Sequence, residues 1–139
     1  MKIDPEYLKK LLETFEGAPH PIFNIRGLQA AGLNYNDDQF VFHMGILEDQ
    51  GFVERDDRKP GFGLVRGADG HMQWSSVPLR LTAQGHQFIE VIRNKEVWAT
   101  LKRDFKEASV DTFFSVGKKL LEGYVKKKVE GLLNGRGST

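Results

Sequence analysis

Residues 34–54, NYNDDQFVFHMGILEDQGFVE, decide how the chain is read. Phe40, His43, Met44 and Leu47 stand at i, i+3, i+4 and i+7, the spacing of one helical face. Asn36 is placed to cap that helix, and Asp37 and Asp38 fall where carboxylates favour a helix start. Gly51 is a typical C-terminal stop, because glycine takes the left-handed conformation without steric cost. Phe52-Val53-Glu54-Arg55 then begins a strand. The run DDRKPGFG at 56–63 and the GADG at 67–70 are turn signals. A second strand fits within His71–Leu81, and Phe62–Arg66 can add a third. The reading is a helix followed immediately by a β-ribbon.

Upstream, Asp4-Pro5 opens a first helix, with Asp as N-cap and Pro at the first helical position. Tyr7, Leu8, Leu11, Leu12 and Phe15 form its apolar stripe, and Gly17 and Pro19 end it. Pro21–Ile25 is short and apolar, a strand or extended segment; residues 28–35 offer one or two helical turns interrupted by Gly32. Downstream, Thr82 can cap a helix with Phe88, Val91 and Ile92 on its apolar face, and Gly85 allows close backbone approach at its start. Asn94 can stop it. Residues 96–108 form another helix, and Ser109 or Asp111 caps a last long one to Leu133. Its apolar band, from Phe113 and Phe114 to Leu132 and Leu133, is broader than one packing contact requires.

This order predicts an α+β fold: a winged helix-turn-helix with a β-ribbon wing and additional C-terminal helices. Residues 1–94 are the expected winged-helix domain, 95–133 a C-terminal helical extension and 134–139 a disordered tail.

A more specific resemblance rests on two blocks. His43 to Leu47 match a helix with a histidine before a Leu-rich turn. Leu81, Thr82, Gly85, His86 and Phe88 match a Leu-Thr-x-x-Gly-His-x-Phe segment, and Ile92, Arg93, Asn94, Val97 and Trp98 match the Ile-Arg-Asn and Val-Trp that follow. Over residues 1–130 the chain resembles the bacterial and prophage family catalogued as domain of unknown function 2513. The resemblance implies a winged-helix fold and association with prophages or mobile elements, and it carries no activity.

The 139 residues fit one domain better than two full-sized ones, and 40% are hydrophobic, enough for a core. The absence of cysteine excludes disulfides, thiolate metal sites and a thiol nucleophile. No apolar run approaches the roughly 20 residues a membrane helix needs, and MKIDPEYLKK lacks the apolar core of a signal peptide. A soluble, cytoplasmic protein without membrane partner is expected. The net charge of +1 hides an asymmetry: residues 1–60 hold 7 Lys/Arg against 11 Asp/Glu, net −4, and residues 61–139 hold 13 against 8, net +5. Such a split suits two surfaces with different partners, or head-to-tail self-association.

Catalytic chemistry finds little support. The histidines, His20, His43, His71 and His86, lack the close spacing of a metal site, and no cofactor is expected. His43 reads as a core histidine bonded to backbone, and His86 as a contact orienting the wing against the next helix. Asp37-Asp38 and Glu48-Asp49 lie at opposite ends of one helix and do not converge as an acid–base pair. The chain carries no phosphate loop, nucleophile elbow or nucleotide fingerprint.

Fold precedent therefore predicts a small, non-enzymatic DNA-binding or regulatory protein. In that reading Arg55, Arg58, Lys59 and Arg66 of the wing, with Lys118 and Lys119 of the last helix, contact nucleic acid. Against it, the presumed recognition helix, 37–50, holds Asp37, Asp38, Glu48 and Asp49 and no Lys or Arg. The alternative is a protein–protein interaction module that uses the winged helix as scaffold and these carboxylates as its contact. A protein partner or a homodimer is expected through the C-terminal helices.

Overall fold

The computed structural model describes residues 1–137, with side chains described through residue 135. The described chain is mixed α+β, with six helices and two small antiparallel sheets: α1 (Pro5–Glu16), α2 (Ile25–Ala30), α3 (Asp38–Asp49), β1 (Val53–Arg55), β2 (Leu64–Arg66), β3 (Met72–Trp74), β4 (Leu79–Leu81), α4 (Ala83–Arg93), α5 (Lys95–Phe105) and α6 (Val110–Gly137). It divides into two compact units, Met1–Ile89 and the remainder from Glu90 onward. The division falls within α4, just ahead of the boundary expected at residue 94. No helix among the described residues is long and apolar enough to cross a membrane.

In the first unit, the Asp4 carboxylate caps α1 by accepting from the backbone N–H groups of Glu6 and Tyr7. Leu8, Leu11, Leu12 and Phe15 of α1 are buried, as are Phe40, Met44, Ile46 and Leu47 of α3. The segment 21–25 supplies less strand than expected. Only Phe23 pairs, exchanging both backbone hydrogen bonds with Leu79 at 2.7 Å. Ile25 already belongs to α2, because the Asn24 carboxamide accepts from Gly27 N–H and starts the helix there. The ambiguous stretch 28–35 is thus the end of α2 and a connection. The N-cap of α3 is Asp37, not Asn36, and its side chain makes no capping bond. Asn36 instead donates its backbone N–H to the Asn34 side chain, an Asx turn that takes it out of the capping position.

The end of α3 follows the Schellman pattern. Gly51 lies at φ +72°, its N–H reaches the Glu48 carbonyl, and Phe52 N–H reaches Leu47 at 2.8 Å. β1 pairs antiparallel with β4 in the register Val53↔Leu81, Glu54↔Arg80, Arg55↔Leu79. Val53, Leu79 and Leu81 turn to the core, while Glu54 and Arg80 meet on the other side. Between β1 and β4 the chain makes a second hairpin, β2–β3, in the register Leu64↔Trp74 to Arg66↔Met72, closed by the turn at 67–70. β2 is the third strand the sequence allowed, and the single strand expected within 71–81 is two, β3 and β4, in different sheets.

Thr82 joins the sheet to α4. Its hydroxyl donates to the Gly51 carbonyl and accepts from Gly85 N–H, and its N–H donates to the Phe52 carbonyl. A Cβ at Gly85 would lie 2.4 Å from the Phe52 carbonyl oxygen and 2.6 Å from a Leu81 methyl. Only glycine permits that approach, which seats Phe88 in a stacked contact with Phe52, centroids 5.2 Å apart. The Leu-Thr-x-x-Gly-x-x-Phe spacing is therefore a joint between ribbon and helix.

In the second unit, Asn94 ends α4 and caps α5, accepting from Val97 N–H at 3.1 Å. α5 spans Lys95–Phe105, shorter than the 96–108 expected at its far end. Of the two caps considered for α6, Ser109 serves, its hydroxyl accepting from Thr112 N–H. Trp98 of α5 meets Phe113 of α6 edge to face at 6.3 Å. α6 continues to Gly137, so residues 134–137 of the expected tail are helical backbone. Residues 138–139 lie outside the described residues.

Candidate functional site

His43, from the decisive stretch, is fully buried and works as a fastener between α1 and α3. Its Nε2 accepts the Asp4 backbone N–H at 2.9 Å and its Nδ1 lies 2.7 Å from the Gln39 carbonyl. Those contacts require the neutral ring with the proton on Nδ1. Gln39 adds a hydrogen bond to the Asp4 carboxylate, and the Tyr7 ring lies 4.8 Å from the imidazole. Burial holds His43 below the usual histidine range, against the opposing pull of the Gln39 carbonyl and Asp4. Burial, aided by Asp37, pushes the Tyr7 hydroxyl up, and among the described residues that hydroxyl has no hydrogen-bond partner. The reading of His43 as a core histidine is what the geometry gives.

With one face of α3 committed to the core, its outer face carries Asp38, Val41, Phe42, Gly45, Glu48 and Asp49. Val41 and Phe42 are half-buried, and a Cβ at Gly45 would meet nothing within 4 Å. The result is a shallow apolar strip with carboxylates at both ends. Asp37 and Asp38 lie at one end and Glu48 and Asp49 at the other, so the structure keeps them apart, as two clusters on one surface.

The ribbon pairs Arg55, Arg58 and Arg80 with its own carboxylates. Arg55 donates two hydrogen bonds to Asp57, at 2.9 and 2.6 Å, and this pairing holds the Asp57 carboxyl below the usual range. Glu54 takes both Arg58, at 3.0 Å, and Arg80, at 2.8 Å. Arg58 itself sits at φ +67°, an uncommon conformation for a side chain with a Cβ. Of the residues expected to touch phosphate, Arg55 and Arg58 thus carry carboxylate partners, because Asp57 and Glu54 are within two and four positions of them. Lys59 and Arg66 are exposed. Lys118 and Lys119 belong to α6 in the second unit and are exposed there.

Two features escaped the sequence reading. Trp74 of β3 gathers Tyr35, Phe40 and Phe62 within 5.3, 5.9 and 5.8 Å, which ties the inner hairpin to the start of α3. These residues are scattered over 40 positions without a periodic signal. His86 was expected to orient the ribbon; it is exposed, and Thr82 and Gly85 perform that task. Its ring lines a surface groove shared with His20, Phe15, Ile22, Asp56 and Arg80. Among the described residues, no group of three or more His, Asp or Glu side chains could hold a metal ion.

No curated protein matches the chain, and no solved structure matches it. A family model described as "Hypothetical protein (DUF2513)" matches residues 2–111, from the start of α1 to the first residues of α6. The match is narrower than the expected 1–130 and leaves most of α6 outside it. It includes the α3 face, the ribbon and the Thr82–Gly85 joint, and the chain belongs to the DUF2513 family.

Proposed function

We propose that this chain is a non-enzymatic regulatory protein on a winged-helix scaffold that acts by docking a protein on the outer face of α3. The winged-helix reading is supported by element order. A helix, the one-residue pairing of Phe23 with β4, two further helices, β1, a ribbon and β4 follow one another in that sequence. A DNA-binding winged helix sets its recognition helix in the major groove, and phosphate contacts supply much of the affinity. The observation that carries the docking reading is the composition of the outer face of α3. It presents Val41, Phe42 and Gly45 between carboxylates and offers no cation to a phosphate. Apolar centre and charged edge are the anatomy of a protein interface.

The DNA-binding reading keeps a specific support in its exposed cations, Arg58, Lys59 and Arg66 of the ribbon and Lys118 and Lys119 of α6. Titrating the full chain into long duplex DNA at low salt separates the two. The docking reading expects no shift of the duplex. Sequence-selective binding that weakens and loses salt dependence in Arg58→Ala/Lys59→Ala would replace it with the DNA-binding one.

A further inference from the structure

We infer that the chain associates head to tail, with the distal half of α6 of one copy lying on the outer face of α3 of another. The inference rests on the reading of that face as a docking surface and names its occupant.

α6 has 28 residues, and its buried side chains, Phe113 and Phe114, lie in its first turns. Every described residue from Val125 to Gly135 is exposed. Among them Val125, Val129, Leu132 and Leu133 are 48, 47, 60 and 62% exposed, and they fall at i, i+4, i+7 and i+8 on one side of the helix. At 100° per residue, Lys126 and Lys128 border this stripe on its two sides. From Lys118 to Gly135 the helix carries five lysines, at 118, 119, 126, 127 and 128, against Glu122 and Glu130.

The surface that complements it is on the same chain. The outer face of α3 has an apolar centre at Val41 and Phe42, open space above Gly45 where a second helix can come close, and carboxylates at both ends. Pairing α6 with α6 in parallel would set like charges together. In that arrangement each lysine meets its own copy. The charge division of −4 and +5 between residues 1–60 and 61–139 has the sign such a contact requires. A contact between two different surfaces leaves one of each free, so it propagates into rings or chains.

Sedimentation velocity on the full chain tests this. At low salt the sedimentation coefficient is expected to rise with concentration. In high salt the apparent dissociation constant is expected to weaken at least about tenfold, because the edge charges are exposed and screened. Asp38→Lys/Asp49→Lys and Lys126→Glu/Lys128→Glu, all exposed positions, should each be monomeric. Leu132→Ser/Leu133→Ser should also be monomeric, with unchanged circular dichroism. An equimolar mixture of Asp38→Lys/Asp49→Lys with Leu132→Ser/Leu133→Ser should form a one-to-one dimer and nothing larger, since one intact α3 face meets one intact α6 and the two altered faces left over both carry lysines. A wild-type chain that stays monomeric at every concentration overturns the inference. So does a mixture that fails to pair, and so does binding of these lysines to duplex DNA or anionic vesicles without self-association. An antiparallel α6 pair would leave Asp38→Lys/Asp49→Lys associated, and that outcome would also overturn the inference. The docking reading of α3 stands or falls separately, on the DNA titration.

Discussion

α3 and α6 both show apolar residues at helical spacing, yet the fold uses them in opposite ways. α3, 12 residues long, buries Phe40, His43, Met44, Ile46 and Leu47. α6, 28 residues long, buries Phe113 and Phe114 near its start and leaves Leu132 and Leu133 more than half exposed. Around α3 the chain supplies α1, β1 and the Trp74 hairpin. Past Tyr124, α6 shares a groove at Val125 and Lys128 with α4 and α5, and every described residue from Val125 on is exposed. Periodicity thus reports which side of a helix is apolar, and the amount of neighbouring chain determines whether that side is covered.

The sharpest measurement of this contrast is Leu47→Ala. Leu47 is fully buried, and its truncation should cost about 2–5 kcal/mol of unfolding free energy in a urea melt. An unchanged midpoint would break the assignment of α3 to the core.

The pH dependence of the same melt examines the fastener between α1 and α3. The folded chain holds His43 neutral, below the ordinary value of about 6.5. Above that value both states are neutral and the contribution is complete. As pH falls below it, the unfolded chain takes up a proton that the folded chain resists. Stability should therefore decline until the depressed folded value is reached, and no further loss comes from this group below it. His43→Gln, which keeps an acceptor for the Asp4 N–H, should flatten that slope. A slope identical to wild type would remove His43 from the account.

At the small end, Leu132→Ala in the monomer should change stability by no more than about 0.5 kcal/mol, because the side chain is 60% exposed. A loss comparable to that of Leu47→Ala would erase the distinction between the two helices.

Much of the first unit was legible because its signals are local. The Asp4-Pro5 start, the stripe on α1, the face Phe40–Leu47, the Gly51 stop and the close approach at Gly85 each follow from residue types a few positions apart. What was not legible depends on distant partners. Nothing near His43 in sequence announces that Asp4 N–H will meet it, and nothing near Trp74 announces Tyr35. The ion pairs of the ribbon were the part the sequence left unread. Counting arginines gave a basic wing; that Asp57 pairs with Arg55 and Glu54 with Arg58 required the structure. The acidic face of α3 was readable, since four carboxylates without a cation need no fold to be counted; that Val41 and Phe42 lie between them required the structure.

The hairpin nested between β1 and β4 bears on how quickly the chain can reach this arrangement. Val53 must find Leu81 across a long intervening segment, whereas Leu64 and Trp74 are close in sequence. Loop-closure entropy rises with the logarithm of loop length, about 0.6 kcal/mol per doubling. Zipping β2 onto β3 first short-circuits the middle of the segment and shortens the loop that β1 and β4 have left to close. Once formed, the hairpin delivers Trp74 to Phe40, so the outer strands are brought together already beside α3. The inner hairpin is then a folding relay: loosening its Gly67–Gly70 turn should slow refolding more than it speeds unfolding.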